Sequence, residues 1–356
     1  MKVMVEYIWI GGNGELRSKT KITDKPSGTP PQWGFDGSST DQATATNSDL
    51  KLNPIFICND AMRGHPHRLA LCEVLDKDNK PVDSNHRRRA FELSKRHFDK
   101  HFWFGLEQEY TLTVGRQEKP LGLSLGGYQR TSVDDIPKQG PFYCGLGANN
   151  AFGRKIAEEH MKACLDTTLT GGRGGLKYCG MNAEVMPGQW EFQIGPGGPL
   201  DVSDRLWIAR YLLIKVAEKH GISVSFASKP HPSLNGAGCH TNFSTSKMRN
   251  SLDECFKAAE KLGSAVTTTK PYPTEDVCYP AKGFPSDYGT GYKDRLTGDC
   301  ETCSWKQFKF GVVDRTASIR IPLHVVHAKK GYIEDRRPCA DIDPYRVTSY
   351  IMETVV

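Results

Sequence analysis

FGLEQEYT, residues 104–111, is the segment from which the fold can be worked out. Its aromatic and apolar residues favour a strand, on which side chains two positions apart point to the same face. Glu107 and Glu109 therefore project side by side. Two carboxylates on a buried strand repel each other and lose hydration unless a strong positive charge lies between them. The segment predicts a bound divalent metal ion.

The composition is that of an ordinary globular chain. A length of 356 residues allows a large core and two domains. The net charge of +6 is mild, and without a dense Lys/Arg block it gives no reason to expect a nucleic-acid partner. No run approaches the ~18 apolar residues of a membrane span, and MKVMVEYIWI predicts a first strand rather than a signal peptide. Eleven cysteines without a framework suit a reducing, cytoplasmic protein.

Residues 1–82 predict a small β-rich domain, and residues 83–356 a larger one. Turn residues separate four candidate strands in the first part: Val3–Ile10, Leu16–Thr23, Pro54–Cys58 and Leu69–Val74. WGFDGSSTDQA, between the second and third, is too elaborate for a plain connector. Ser84 is the candidate N-cap of a helix that opens the second part.

The second part mixes strands with amphipathic helices. FWFGLEQEYTLTV and QWEFQIGP have the strand period, with Glu191 and Gln193 on one face of the latter. Helical spacing recurs in FGRKIAEEHMKACLDTTL, in SDRLWIARYLLIKVAEKHG and over Leu252–Leu262. We expect Ser203 to cap the second of these helices and Gly221 to end it. GGRGG at 171–175 predicts a mobile turn rather than a phosphate loop, since no strand leads into it.

Further candidate metal ligands lie near glycine or proline turns. They are Glu184 in GMNAEVMPG, Glu191 in QWEFQIGP, His240 in NGAGCHTNFS and Glu334 in KKGYIEDRRP. With Glu107 and Glu109 they make an oxygen-rich set that suits Mg²⁺ or Mn²⁺ better than zinc or copper. Five acids could hold two or three such ions, which often bridge nucleotide phosphates. Taken singly, each acid could equally be a surface charge, and the histidine a structural one.

Four arginines complement these acids: Arg295, Arg315, Arg320 and Arg336. Arg315 and Arg320 lie five apart in the apolar stretch FGVVDRTASIRIP, where guanidinium groups bind carboxylate or phosphate or pair with Asp. The residues alone leave those two roles open. The chain has no Gly-Lys dipeptide and hence no P-loop, and it has no HExxH. GLSLG lacks the strand-to-helix context of a nucleophile elbow, and the single CxxC at Cys300 and Cys303 lacks a second pair.

Seven motifs in chain order resemble glutamine synthetase of the eukaryotic type. They are WGFDGSST (33–40), FGLEQEYTL (104–112), NAEVMPGQWEFQIGP (182–196), NGAGCHTNFST (235–245), RLTG (295–298), RTASIRIP (315–322) and GYIEDRRP (331–338). The resemblance runs over nearly the whole chain. It implies an α+β protein, with an N-terminal β-grasp domain followed by a catalytic α/β domain.

The resemblance also implies an oligomer and a reaction. Members of this type form homo-oligomeric rings, usually a decamer of two stacked pentamers, with each active site shared between neighbouring subunits. The reaction joins glutamate and ammonia with ATP hydrolysis through γ-glutamyl phosphate. Carried over by position, one metal ion would bind Glu109, Glu184 and Glu191, and a second Glu107, His240 and Glu334.

The remaining site residues also come from the resemblance. Asn235, Gly236 and Arg295 would bind glutamate, and Arg315, Arg320 and Arg336 would stabilise the transferring phosphoryl group. Trp103, Asn242 and Ser244 would approach ATP, which Glu191 and Arg320 also reach. Asp36 of a neighbouring subunit would bind ammonium. Glu301 would close a flap that keeps water from the acyl phosphate.

Some positions depart from the family pattern, although none removes a metal ligand. Asp314 replaces the usual Asn beside the arginine, Cys300 replaces a common His before the flap, and SLNGAGCH lacks a tryptophan. Two alternatives keep part of the pattern. One is a γ-glutamyl–amine ligase of the polyamine type, and the other is a non-catalytic structural paralogue.

Overall fold

The computed structural model describes most of the chain. The described residues are 2–24, 28–115, 119–123, 136, 140–170, 174–263, 279–280 and 285–356. No helix in these ranges has both the length and the apolar character needed to cross a bilayer.

The N-terminal part is a five-stranded mixed sheet. Its strands are β1 (Val3–Ile10), β2 (Leu16–Thr23), β3 (Trp33–Asp36), β4 (Asp49–Asn59) and β5 (Arg68–Leu75). Their order is β2-β1-β5-β4-β3, in which β1 and β5 run parallel and the other neighbours antiparallel. All four predicted strands are present, and β4 begins earlier than predicted. The WGFDGSST motif supplies β3 and the 3₁₀ turn that follows it.

The two faces of this sheet contact different cores. Val5, Tyr7 and Trp9 alternate along β1 and pack with Leu52 and Val74 in a local core. Residues of opposite parity on the same sheet belong instead to the main core of the chain, as the strand period requires: Ile8, Leu69 and Leu71. The N-terminal sheet is thus packed directly against the larger part.

The larger part contains eleven strands and seven helices among the residues described. The strands are β6 (Trp103–Val114), β7 (Lys119–Pro120), β8 (Tyr178–Ala183), β9 (Gln189–Gly197), β10 (Ser223–Ser225), β11 (Cys239–Ser244), β12 (Tyr279–Pro280), β13 (Gln307–Phe308), β14 (Phe310–Val312), β15 (Ile319–Ile321) and β16 (Ile333–Asp335). The helices are α1 (Arg87–Arg96), α2 (Arg154–Asp166), α3 (Pro199–Lys219), α4 (Leu252–Gly263), α5 (Tyr292–Arg295), α6 (Leu323–Ala328) and α7 (Pro344–Val355).

A nine-stranded sheet forms the centre of this part. Its main path is β14-β15-β16-β11-β6-β9-β8, and β7 and β10 also pair with β6. The pairs are antiparallel except for β14 with β15. The long helix α3 packs on β6 and β9. The predicted α+β class is confirmed, with the FGLEQEYT strand in the middle of the sheet.

Two predicted helix caps are wrong. Helix α3 begins at Pro199, and Ser203 lies inside it with its hydroxyl donating to the Pro199 carbonyl. Proline is well suited to a first helical turn, where its missing N–H has no partner to lose. Helix α1 begins at Arg87 after His86, while the Ser84 hydroxyl accepts a hydrogen bond from Gln42.

Two stretches differ from their simplest sequence interpretation. FGVVDRTASIRIP is not one strand, because a turn separates β14 from β15 and contains Arg315. The last residues of the predicted helix, 167–169, are not part of α2 and bond to β4 instead, with the Asn59 N–H donating to the Thr168 carbonyl. The predicted GGRGG turn lies mostly outside the described residues.

A buried ion-pair network joins the N-terminal sheet to helices of the larger part. Arg87 donates from Nε and Nη2 to the two carboxylate oxygens of Asp204, at 2.9 and 3.0 Å. Its Nη1 donates to Glu73 of β5 at 3.3 Å, and the Tyr345 hydroxyl of α7 donates to Asp204. Because Asp204 is buried, its charge depends on these donors.

We expect Arg87→Met to lower the free energy of unfolding by about 3–5 kcal/mol, because it leaves the buried Asp204 carboxylate without its cation. Urea unfolding measures the change. The matched control is Arg88→Met, which removes an exposed pair with Glu92 and a contact with the Phe91 ring and should change the value by less than about 1 kcal/mol. Equal effects of the two substitutions would contradict this account of the network.

Candidate active site

Strand register brings the candidate ligands together on one face of the central sheet. Glu107 of β6 lies opposite His240 of β11, and Glu109 lies opposite Glu191 of β9. Gln108, between the two glutamates, points to the other face, where it accepts hydrogen bonds from Arg210 of α3. The predicted strand period therefore holds at this position.

Two compact groups of potential metal ligands result. One consists of Glu109, Glu184 and Glu191, and the other of Glu107, His240 and Glu334; in each, one ligand atom per residue lies within 4.8 Å of the others. These are the two sets that the family resemblance implies. Glu184 follows β8 directly, in the turn that leads to β9. Glu334 lies on β16, next to β11 in the sheet.

The first group has the electrostatics of a metal site. Burial, together with the charges of neighbouring glutamates, raises the pKa of Glu184 to about 8 and that of Glu191 to about 9. The pKa of Glu109 is also raised, chiefly by burial. Among the described residues, no Lys or Arg forms an ion pair with any of the three. A divalent cation would provide the missing positive charge.

The second group is partly compensated by arginines. Glu334 accepts hydrogen bonds from Arg320 at 2.7 Å and from Arg336 at 2.6 Å. Nδ1 of His240 lies 3.6 Å from an oxygen of Glu107 and 3.6 Å from an oxygen of Glu334. Burial and the nearby Arg336 hold the pKa of His240 well below its usual value, so the imidazole is neutral and can ligate a metal.

The predicted glutamate-binding segment packs on Arg295. A guanidinium nitrogen of Arg295 lies 3.2 Å from Nε2 of His240, and the group also donates to the Arg336 and Arg337 carbonyls. A Cβ on Gly238 would lie 2.3 Å from this guanidinium, so the close approach requires glycine. Arg315 is placed differently from the other arginines, because its side chain is exposed and its carbonyl accepts from Arg336.

A cavity of about 460 Å³ adjoins the second group. It is lined by three predicted nucleotide contacts, Trp103, Asn242 and Ser244. Three further lining residues, Cys179, Arg249 and Tyr332, were not predicted. The Arg249 guanidinium lies 4.2 Å from the centre of the Trp103 ring and donates to the Ser244 hydroxyl. An aromatic ring and a guanidinium plane suit a flat base.

The predicted catalytic acids lie in two places. Glu301 is exposed, and its charge contributes to the raised pKa of Glu184, so it approaches the first group. Cys300 and Glu301 both have positive φ, of 51° and 59°, which is strained for these residue types. Tyr143, which was not predicted, also lies near this group: burial raises its pKa, and the charges of Glu184 and Arg315 act on it as well.

Asp36 lies on the N-terminal sheet, where none of its hydrogen bonds reaches either acidic group. It accepts hydrogen bonds from the Ser38 N–H, the Ser38 hydroxyl and the Ser39 hydroxyl. These donors lower the pKa of Asp36 to about 2, so it is ionised near neutral pH. Since Asp36 is exposed, this carboxylate is available to a second molecule.

Two groups of potential ligands for a hard cation, with arginines bonded to the second group and a base-sized cavity beside it, define a metal-dependent enzyme of the phosphoryl-transfer class. A model of the glutamine synthetase catalytic domain matches residues 85–267. Three named glutamine synthetases align with 99% of the chain. That of Streptomyces hygroscopicus is 47% identical over 97% of its own length, that of Canis lupus familiaris 44% over 90%, and the chloroplastic protein of Chlamydomonas reinhardtii 42% over 90%. The chain belongs to the glutamine synthetase family.

We expect Mn²⁺ binding to the metal-free protein to release protons near neutral pH. The raised pKa values of Glu184 and Glu191 keep these carboxyls largely protonated until an ion displaces the protons. Mn²⁺ affinity should therefore rise between about pH 7 and pH 9. Calorimetry in two buffers of different ionisation enthalpy measures the released protons. Equal binding enthalpies in both buffers, with affinity independent of pH, would contradict the expectation.

Proposed function

We propose that the protein is a glutamate–ammonia ligase, which makes L-glutamine from L-glutamate, ammonia and ATP through γ-glutamyl phosphate. One observation carries the proposal: in a chain of this family, both acidic groups lie on one sheet face beside a base-sized cavity. All six candidate metal ligands lie together in these two groups. A structural paralogue would have no need to keep six such residues together.

The metal centre is assigned on the same grounds. Glu109, Glu184 and Glu191 hold one ion, and Glu107, His240 and Glu334 hold another. Oxygen donors with one imidazole suit Mg²⁺ or Mn²⁺, in two to three ions per site. When bound, these ions activate the γ-phosphate of ATP and shield its charge from the attacking glutamate carboxylate.

The chain's own residues bind and orient the substrates. Asn235, Gly236 and Arg295 hold glutamate beside the metal groups, and Arg315, Arg320 and Arg336 stabilise the transferring phosphoryl group. ATP lies in the cavity with its base against Trp103. Asn242 and Ser244 lie near its sugar and phosphates. Glu191 and Arg320 lie toward its phosphates. The cation–π contact of Arg249 with Trp103 supports this placement, because the base can join an existing stack.

The final step needs a residue from a second subunit. Asp36, ionised and exposed, binds ammonium and helps remove its proton at the site of a neighbouring subunit. Glu301 closes the flap, so that ammonia rather than water reaches the acyl phosphate. This assignment requires a homo-oligomeric ring, for which we propose two stacked pentamers. We also propose a β-grasp domain at 1–82, a catalytic domain at 83–356 and a cytoplasmic location.

We expect the purified protein with Mg²⁺, ATP, glutamate and ammonium to form glutamine, with one phosphate released per glutamine. The acyl phosphate is protected until an amine attacks it, so phosphate release should depend on ammonium. Chromatographic glutamine analysis and a phosphate assay measure both products. Phosphate release without ammonium, or no glutamine, would contradict the proposal. Preferred use of a polyamine at equal concentration would favour the γ-glutamyl–amine ligase instead.

We expect Asp36→Ala and Glu334→Ala subunits, each inactive alone, to regain activity when dissociated and reassembled together. In a mixed ring, about one quarter of the shared sites combine an intact Asp36 with an intact Glu334. The control mixes Glu109→Ala with Glu334→Ala. Because both of these changes affect the same subunit's part of the site, no mixed site is intact. Equal activity in the two mixtures would exclude a shared site.

A further inference from the structure

Four amide side chains surround the acidic groups, and no sequence motif singled them out as a set. Each donates one hydrogen bond to a different glutamate. Asn182 donates to Glu184 at 2.8 Å, Gln189 to Glu109 at 3.2 Å, Gln193 to Glu191 at 2.7 Å and Asn242 to Glu107 at 2.6 Å. Four of the five candidate metal-binding carboxylates are held in this way.

We propose that Asn182, Gln189, Gln193 and Asn242 are positioning residues of the metal centre, each fixing one carboxylate so that its remaining lone pairs face the ion. The inference deepens the proposed function and rests on it. An amide is suited to this task because it is neutral. It orients a carboxylate without removing the negative charge that attracts the cation, whereas Lys or Arg would compete with the metal.

The sheet register explains how the amides reach the acids. Gln193 lies two residues after Glu191 on the same face of β9, and Asn182 lies two residues before Glu184, which directly follows β8. Asn242 lies opposite Gly105, which has no side chain, and reaches diagonally to Glu107. Gln189 lies opposite Thr111 and reaches diagonally to Glu109. Acids and amides therefore alternate over one surface.

The fifth candidate metal-binding carboxylate is held by arginines instead of an amide. Glu334 has no amide donor among the described residues and is held by Arg320 and Arg336 instead. Those guanidinium groups offset its charge as well as orienting it. The carboxylates of the first group have no such ion pair among the described residues, so neutral amide and backbone donors orient them without offsetting their charge.

Gln189 also links the metal centre to the glutamate-binding segment. Its amide donates both to Glu109 and to the Gly236 carbonyl, at 3.2 and 3.0 Å. The same Glu109 oxygen accepts from the Gly238 N–H at 2.9 Å. One carboxylate oxygen is thus held by two donors, which leaves the other oxygen for the ion.

The test measures Mn²⁺ binding to the metal-free full-length protein without substrates. Either calorimetry or the paramagnetic signal of free Mn²⁺ gives the affinity. Gln193→Met keeps the length of the side chain but removes the donor. We expect it to weaken Mn²⁺ binding by about 10- to 100-fold. The matched control is Gln42→Met, which removes an amide that donates to the Ile10 carbonyl and the Ser84 hydroxyl rather than to a candidate metal ligand, and it should leave Mn²⁺ affinity unchanged.

A second variant displaces the same amide without altering it. A Cβ on Gly180 would lie 2.9 Å from the Gln193 side-chain oxygen, which is the end of a flexible side chain. Gly180→Ala should therefore fold and still weaken Mn²⁺ binding. If Gln193→Met does not fold, Gly180→Ala tests the inference in its place. Mn²⁺ affinity within about twofold of the wild type in the folded variants would overturn the inference. Failure of the wild type itself to bind Mn²⁺ would instead overturn the metal assignment of the proposed function.

Discussion

Repulsion among buried carboxylates is the constraint on which the rest of the site depends. Glu109, Glu184 and Glu191 lie within reach of one ion, mostly removed from water, and have no ion-paired Lys or Arg among the described residues. Burial alone raises their pKa values, and their mutual repulsion adds to it. A surface built only for stability would pair or protonate these groups permanently. Their arrangement is explained by a cation.

The central sheet makes this unfavourable arrangement possible. Antiparallel pairing of β6 with β9 and β11 sets the distances among the candidate ligands on these three strands, and α3 packs on the opposite face. Because strands in a packed sheet cannot slip by one residue without exposing the core, the acids are held in place. The stability of the core thus supports a locally destabilised site, as is common at functional centres.

Much of the fold and part of the site could be predicted from the sequence. The strand period places Glu107 and Glu109 on one face, and local patterns locate most strands and long helices. Which acid shares an ion with which came from the family resemblance, since ligands from five strands or turns meet only through tertiary pairing. Local rules for helix starts failed at α3, where Pro199 rather than Ser203 begins the helix.

Other residues could not be predicted because only the folded chain brings them to the site. Arg249 lies in a turn from which its guanidinium contacts the Trp103 ring, and Tyr143 lies in a loop near Glu184. Neither sits in a pattern that distinguishes it from a surface residue. The four amides belong to strand faces whose polar residues could equally face solvent, and only the folded chain shows that they bond to the acids. Asp36 acts in the proposed reaction only across a subunit boundary, which no single chain contains.

The central claim is that the two glutamates of FGLEQEYT bind different ions and so fix the spacing between them. Anomalous diffraction from crystals of the Mn²⁺-bound protein tests it most directly, because each manganese gives its own peak. The account predicts two separate peaks, one bound by Glu109, Glu184 and Glu191 and the other by Glu107, His240 and Glu334. A single peak bridged by Glu107 and Glu109 would contradict it.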